Sequence, residues 1–88
     1  MKFSLEMVNT KGLHARASAK FVEVVERFGS RVTVRKDGIE VPGDSIMGLM
    51  SLGASWGSHI EVEIEGDDSE EVADEIKSLV ANRFGEPS

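Results

Sequence analysis

The chain has 88 residues, 40% of them hydrophobic and 30% charged, with no cysteine and a formal net charge of −6. That is enough for one small core, and it excludes a separate catalytic domain, a disulfide framework and a thiolate metal site. No apolar run approaches the ~20 residues of a membrane span, the acid at Glu6 argues against a signal peptide, and the net acidity excludes a general nucleic-acid binder.

Phe3, Leu5 and Met7 alternate with polar residues and predict a half-buried strand over 2–8. Asn9 to Gly12 reads as a loop. From His14 the period becomes helical, with Phe21, Val25 and Phe28 on one side beside Ala17 and Val22, and Gly29 as the C′ stop. Val32 and Val34 mark a second strand, Asp37-Gly38 a tight hairpin, and Ile39 and Val41 a third strand that Pro42-Gly43 terminates. A short helix follows from Ser45 to Leu52, with Asp44 or Ser45 as its N-cap and Gly53 as its stop. Residues 54–58 read as a turn, with Trp56 as a loop anchor. Ile60, Val62 and Ile64 alternate in a fourth strand, and His59 at its start has no ligand-spaced partner. Val72, Ile76, Leu79 and Val80 stripe a last helix, with Phe84 one turn further on and Asp68 with Glu71 as a capping-box variant. Residues 1–88 are therefore expected to form one α+β domain. Its open-faced sandwich has a four-stranded antiparallel sheet covered on one face by three helices, in the order β-α-β-β-α-β-α.

The residues with chemistry lie at the start of the first helix, in Gly12-Leu13-His14-Ala15-Arg16-Ala17. The first backbone N–H groups of a helix have no intrahelical partner, and the macrodipole leaves partial positive charge there. Histidine has an ordinary pKa of ~6.5, so a neutral ring nitrogen is available near pH 7 to form a covalent intermediate. With His14 as N-cap, the N–H groups of Ala15, Arg16 and Ala17 can receive a phosphate, and Arg16 adds a planar cationic fork. Spacing leaves open which ring nitrogen reacts.

Charge is unevenly divided. Residues 1–36 hold eight of the ten Lys and Arg against three acids, and residues 37–88 hold the other two against thirteen. One reading is that the basic half surrounds His14 and steers an acidic partner surface to it; the other is plain solvation of scattered charge. Lys20 and Arg27 are the candidate members of that basic face. The acids from Glu65 to Glu75 read as a solvated helix start rather than a metal cluster. Ile46, Met47, Leu49 and Met50 are too many apolar residues for one buried stripe on so short a helix, so Ile46 and Met47 are the candidates for an exposed contact patch.

Gly12-Leu13-His14-Ala15-Arg16, with Gly43-Asp44-Ser45-Ile46-Met47-Gly48-Leu49-Met50-Ser51-Leu52-Gly53 at the matching separation, resembles the HPr family of histidine phosphocarriers of the phosphoenolpyruvate-dependent phosphotransferase system. The likeness covers essentially the whole chain. It implies that His14 accepts a phosphoryl group from phospho-Enzyme I and passes it to IIA-type proteins, with Arg16 steadying the phosphate. It also implies a monomeric cytoplasmic carrier that is not itself an enzyme and needs no cofactor or metal, magnesium being required by Enzyme I. Ser45 resembles the site modified by HPr kinase/phosphorylase, although Asp44 beside it would repel a phosphate. Family members commonly have Pro where this chain has Ala17, and the Ala17-Ser18-Ala19 version also resembles carriers of the nitrogen-related branch (NPr-like). The partner, a sugar permease or a regulatory IIA protein, stays open. The alternative reading is an interaction module that reports phosphorylation state with little onward transfer; retention of both His14 and Arg16 argues against it.

Overall fold

Residues 1–88 are described by a computed structural model. Period-2 alternation builds its sheet. The strands are β1 (Lys2–Glu6), β2 (Arg31–Lys36), β3 (Ile39–Pro42) and β4 (His59–Glu65). They lie in the order β1-β4-β2-β3, and every neighbouring pair is antiparallel. The register sets Phe3 opposite Val62, Leu5 opposite Ile60, Val32 opposite Ile64, and Val34 between Val62 and Val41. These side chains form or line the core. The intervening residues face water, as a strand with one covered face requires. There Arg35 reaches Glu63 and Glu40 at 2.8 Å and Glu61 at 3.2 Å. Such surface pairs add little stability and chiefly neutralise one another. Asp37 (φ 51°) and Gly38 (φ 82°) make the β2–β3 hairpin with both central residues left-handed, as a type I′ turn demands.

Three helices, α1 (Ala15–Glu26), α2 (Ile46–Ser51) and α3 (Ser69–Ala81), supply the other layer. Phe21, Leu49, Val72 and Ile76 are completely buried, each worth about 2–3 kcal/mol of apolar transfer. The element order and sheet are those expected. No helix is long and apolar enough to cross a membrane.

Four local expectations are corrected. β1 stops at Glu6 rather than 8, because Met7 leaves the ladder to exchange bonds with the 55–58 turn: Met7 N–H donates to Ser58 O, and Gly57 N–H to Met7 O, each at 2.8 Å. α1 stops at Glu26, and Gly29 is not its left-handed C′ residue. The N–H groups of Arg27 and Phe28 fold back 3.2 Å to Val24 and Val25 carbonyls, tightening the last turn in 3₁₀ fashion. Asp68 precedes α3 but makes no capping bond with its side chain. Its carboxylate instead accepts from Ser30 Oγ and from Gly29 N–H, tying the end of α1 to the start of α3. The Ser30 hydroxyl and the Gly29 N–H hold the Asp68 carboxyl below its ordinary value. Finally, Phe84 does not continue the α3 stripe. Arg83, Phe84 and Gly85 are left-handed, with φ of 56°, 55° and 78°. Two non-glycine residues in that region cost roughly 1–2 kcal/mol each. The burial of Phe84, 1% exposed, offsets that strain.

Candidate functional site

The site begins with a loop that must turn sharply. Gly12 has φ +63°, and a Cβ there would fall on Ala54 O and lie 2.7 Å from Ser55 Cα. Only glycine lets the 9–12 loop press this closely on the 54–55 backbone. The contact is sealed by Leu13 N–H donating to Ala54 O at 2.8 Å. Inside the loop Asn9 is fully buried, and its Nδ2 donates 2.9 Å to Gly12 O. Ser18, also fully buried, donates from Oγ to Leu13 O at 3.1 Å. The residue that follows, His14, is thus delivered from a braced backbone.

His14 is the N-cap of α1, with extended φ/ψ and no side-chain capping bond. The first intrahelical bond runs from Ser18 N–H to His14 O at 2.9 Å. The N–H groups of Ala15, Arg16 and Ala17 therefore lack intrahelical acceptors. Ala17 is buried, whereas Ala15 and Arg16 are exposed. The guanidinium of Arg16 makes no hydrogen bond or ion pair within the chain and lines the same shallow cleft as His14, about 220 Å³, with Thr10, Lys11, Glu86, Pro87 and Ser88.

Glu86 is the participant that sequence reasoning missed. The left-handed turn at 83–85 brings the tail back across the start of α1. There Glu86 Oε2 is paired with His14 Nε2, while Oε1 accepts from Asn9 Nδ2 at 2.9 Å. Lys20 Nζ donates 2.6 Å to Phe84 O and fastens the turn. Burial pushes the Glu86 carboxyl up, but the Asn9 and His14 hydrogen bonds outweigh it, and the group stays below its ordinary value. A depressed carboxyl stabilises the fold above its unfolded pKa of ~4.3, and that contribution is lost as pH falls through the lower folded value. Glu86→Gln is accordingly expected to flatten the acid limb: between pH 6 and pH 3 in urea melts, its stability should fall less than that of the wild type. Equal losses would mean that the carboxylate adds nothing. Only a tertiary fold could reveal Glu86, 72 residues from His14; the one local hint was a lone acid between Gly85 and Pro87.

The bases are less concentrated than expected. Arg35 is tied up on the open sheet face, Lys36 pairs with Asp37 at 2.8 Å, and Arg27 pairs with Glu75 at 2.9 Å. Lys20 serves the tail. Lys11 and Arg16 are the cations that line the His14 cleft. No grouping of three His, Asp or Glu is arranged to hold a metal.

On α2, Ser45 is the N-cap and its Oγ accepts from Gly48 N–H at 2.9 Å, so the choice between Asp44 and Ser45 falls to Ser45. Leu49 alone of the four apolar candidates is buried. Ile46 and Met50 are each 40% exposed and Met47 is 77% exposed. Trp56, expected as a loop anchor, is 68% exposed and anchors nothing; the backbone bonds to Met7 hold that turn instead. His59 is exposed on the strand start.

Comparison with known proteins agrees with this fold. The family model described as "PTS HPr component phosphorylation site" matches residues 1–82. The chain is 45% identical to the phosphocarrier protein HPr of Cupriavidus necator over 80 residues, covering 91% of this chain and 90% of that protein. It is 38% identical over 79 residues to the phosphocarrier protein NPr of Proteus mirabilis, covering 89% and 88%. The crystal structure of HPr-C-His from Thermoanaerobacter tengcongensis superposes with a TM-score of 0.94 at 41% identity, covering all of this chain and 99% of that one. This chain therefore belongs to the HPr family of phosphocarrier proteins.

Proposed function

We propose that the chain is a cytoplasmic, monomeric histidine phosphocarrier, acting as one domain over 1–88, that accepts a phosphoryl group from phospho-Enzyme I on His14 and passes it to IIA-type proteins. The observation that carries this reading is the placement of the His14 ring at the start of α1, beside three free N–H groups and an uncommitted Arg16. The carboxylate on Nε2 favours the tautomer with its proton there, which leaves the Nδ1 lone pair as nucleophile. In the transfer a bond forms from Nδ1 to phosphorus, the bond to the donor breaks, and its electron pair leaves with the donor. The N–H groups of Ala15, Arg16 and Ala17 and the Arg16 fork then share the phosphoryl charge. Glu86 stays on the far side of the ring. Its negative charge limits how firmly the phosphoryl group is held, which suits a carrier that must release it. The chain is the phosphorylated intermediate rather than an enzyme.

Ile46 and Met47 form the apolar part of the docking face, with Arg27 on its outer edge and Lys20 shaping the tail beside it. Met47→Ala is expected to leave stability within about 0.5 kcal/mol of wild type, as for an exposed side chain, and to weaken Enzyme I binding several-fold by calorimetric titration. A large loss of stability with unaltered binding would return Met47 to a structural role. Phosphorylation of Ser45 by HPr kinase/phosphorylase is the proposed regulation. Its Oγ already faces the start of α2, so added charge meets free N–H groups there while standing beside the docking face. Ser45→Asp should slow transfer from Enzyme I; equal rates would count against regulation at this site. The match to an NPr relative keeps both sugar uptake and nitrogen-related regulation open as pathways.

The direct test is intact-mass analysis after incubation with Enzyme I, magnesium and phosphoenolpyruvate. One acid-labile phosphoryl group is the expected product. No addition, with an Enzyme I preparation active on another carrier, would overturn the reading.

A further inference from the structure

Trp56 is the only tryptophan of the chain and a large aromatic left mostly in water. Its turn does not need the ring. Ser58 N–H donates 2.9 Å to Ser55 O, Ser55 N–H donates 3.2 Å to Ser58 Oγ, and Gly57 (φ 84°) takes the left-handed third position. The turn is also joined to the site. Gly57 and Ser58 exchange backbone bonds with Met7, and Ala54, two residues before Trp56, accepts from Leu13, the residue next to His14. A rigid turn thus holds an unsupported indole out beside the loop that presents the histidine. An aromatic side chain with only two rotatable bonds loses little freedom when it docks, which is why tryptophan dominates so many interface centres. Lys11, in that loop, and Arg16 supply positive charge in the His14 cleft that the loop borders.

We propose that Trp56 is a docking anchor for the protein that delivers the phosphoryl group to His14, its ring entering an apolar pocket whose acidic border meets Lys11 and Arg16. The inference rests on the carrier reading. A donor that brings phosphorus to Nδ1 must close over the His14 cleft and the loop to which the 54–58 turn is bonded, whereas a second copy of the chain would bring another net −6 against the first.

The experiment uses the full chain labelled with 5-fluorotryptophan, which gives a single fluorine resonance. Titration with Enzyme I should shift and broaden that resonance to saturation. Trp56→Ala should raise the KM for phosphorylation by Enzyme I about tenfold while the saturated rate falls less than about twofold, and Trp56→Phe should recover most of the loss. An unmoved resonance and an unchanged KM, with His14 still phosphorylated, would overturn the anchor alone. A resonance that moves with the chain's own concentration would assign the surface to self-association and also overturn it. No phosphorylation of the wild type would overturn the carrier reading and the anchor with it.

Discussion

His14→Gln should be taken up into the fold and carry no phosphoryl group. The substitution removes the only nucleophile at the start of α1 while offering Glu86 an amide N–H in place of Nε2–H. It therefore avoids leaving Oε2 of that half-buried carboxylate without a partner, the hazard of a truncation to alanine. Because His14 makes no side-chain capping bond, the helix start loses nothing with it. Deleting a nucleophile should depress the rate by at least a factor of about 10³, to the detection limit, whatever the stability. Mass analysis with Enzyme I and phosphoenolpyruvate, set against a thermal melt, separates the two quantities. Phosphate still appearing on His14→Gln would place the acceptor elsewhere, with His59 next in line.

Gly12→Ala tests the scaffold rather than the chemistry. The new methyl would meet Ala54 O, Ser55 Cα and Ala54 C, all of them backbone, at a φ of +63°. No rotamer relieves such a clash, so the loop or the turn must move. Left-handed strain and the weakened Leu13–Ala54 bond together predict a loss of about 3 kcal/mol. A small domain with ~5–15 kcal/mol of stability survives that at room temperature. Transfer should nevertheless slow by more than tenfold, since a shift of about 1 Å at a reacting group can cost 10²-fold. Urea melts and phosphorylation kinetics on the same preparation would show both losses. An unchanged rate would mean that the His14 ring is positioned without the loop.

The strands were legible because each has one wet face: Phe3/Leu5, Val32/Val34 and Ile60/Val62/Ile64 write period 2 directly into the chain. The site's core was legible for a different reason. A histidine cap, its following N–H groups and a nearby arginine are neighbours in sequence, so their chemistry needs no tertiary knowledge. What stayed hidden was everything made by chain return. Asp68 fits a capping box by spacing, yet its carboxylate goes to Gly29 and Ser30, 39 and 38 residues earlier in the chain. Phe84 fits a helical stripe, yet reaches the core through left-handed residues that no pattern of hydrophobicity encodes. Glu86 and Asn9 meet only because that turn exists. Trp56 misled for the opposite reason, since size and aromaticity argue for burial while its exposure is set by backbone bonds to Met7.

The strand order has a consequence for how the chain assembles during synthesis. β2 and β3 are joined by a tight hairpin and can pair as soon as both leave the ribosome. β1, made first, has its partner in β4, with Lys2 opposite Glu63. About sixty residues must therefore be translated and brought round before the N-terminal strand finds its place, a loop closure that local contacts cannot shortcut. Until then Phe3 and Leu5 remain a free apolar edge on the nascent chain, and the window in which a chaperone could hold it closes only when β4 arrives.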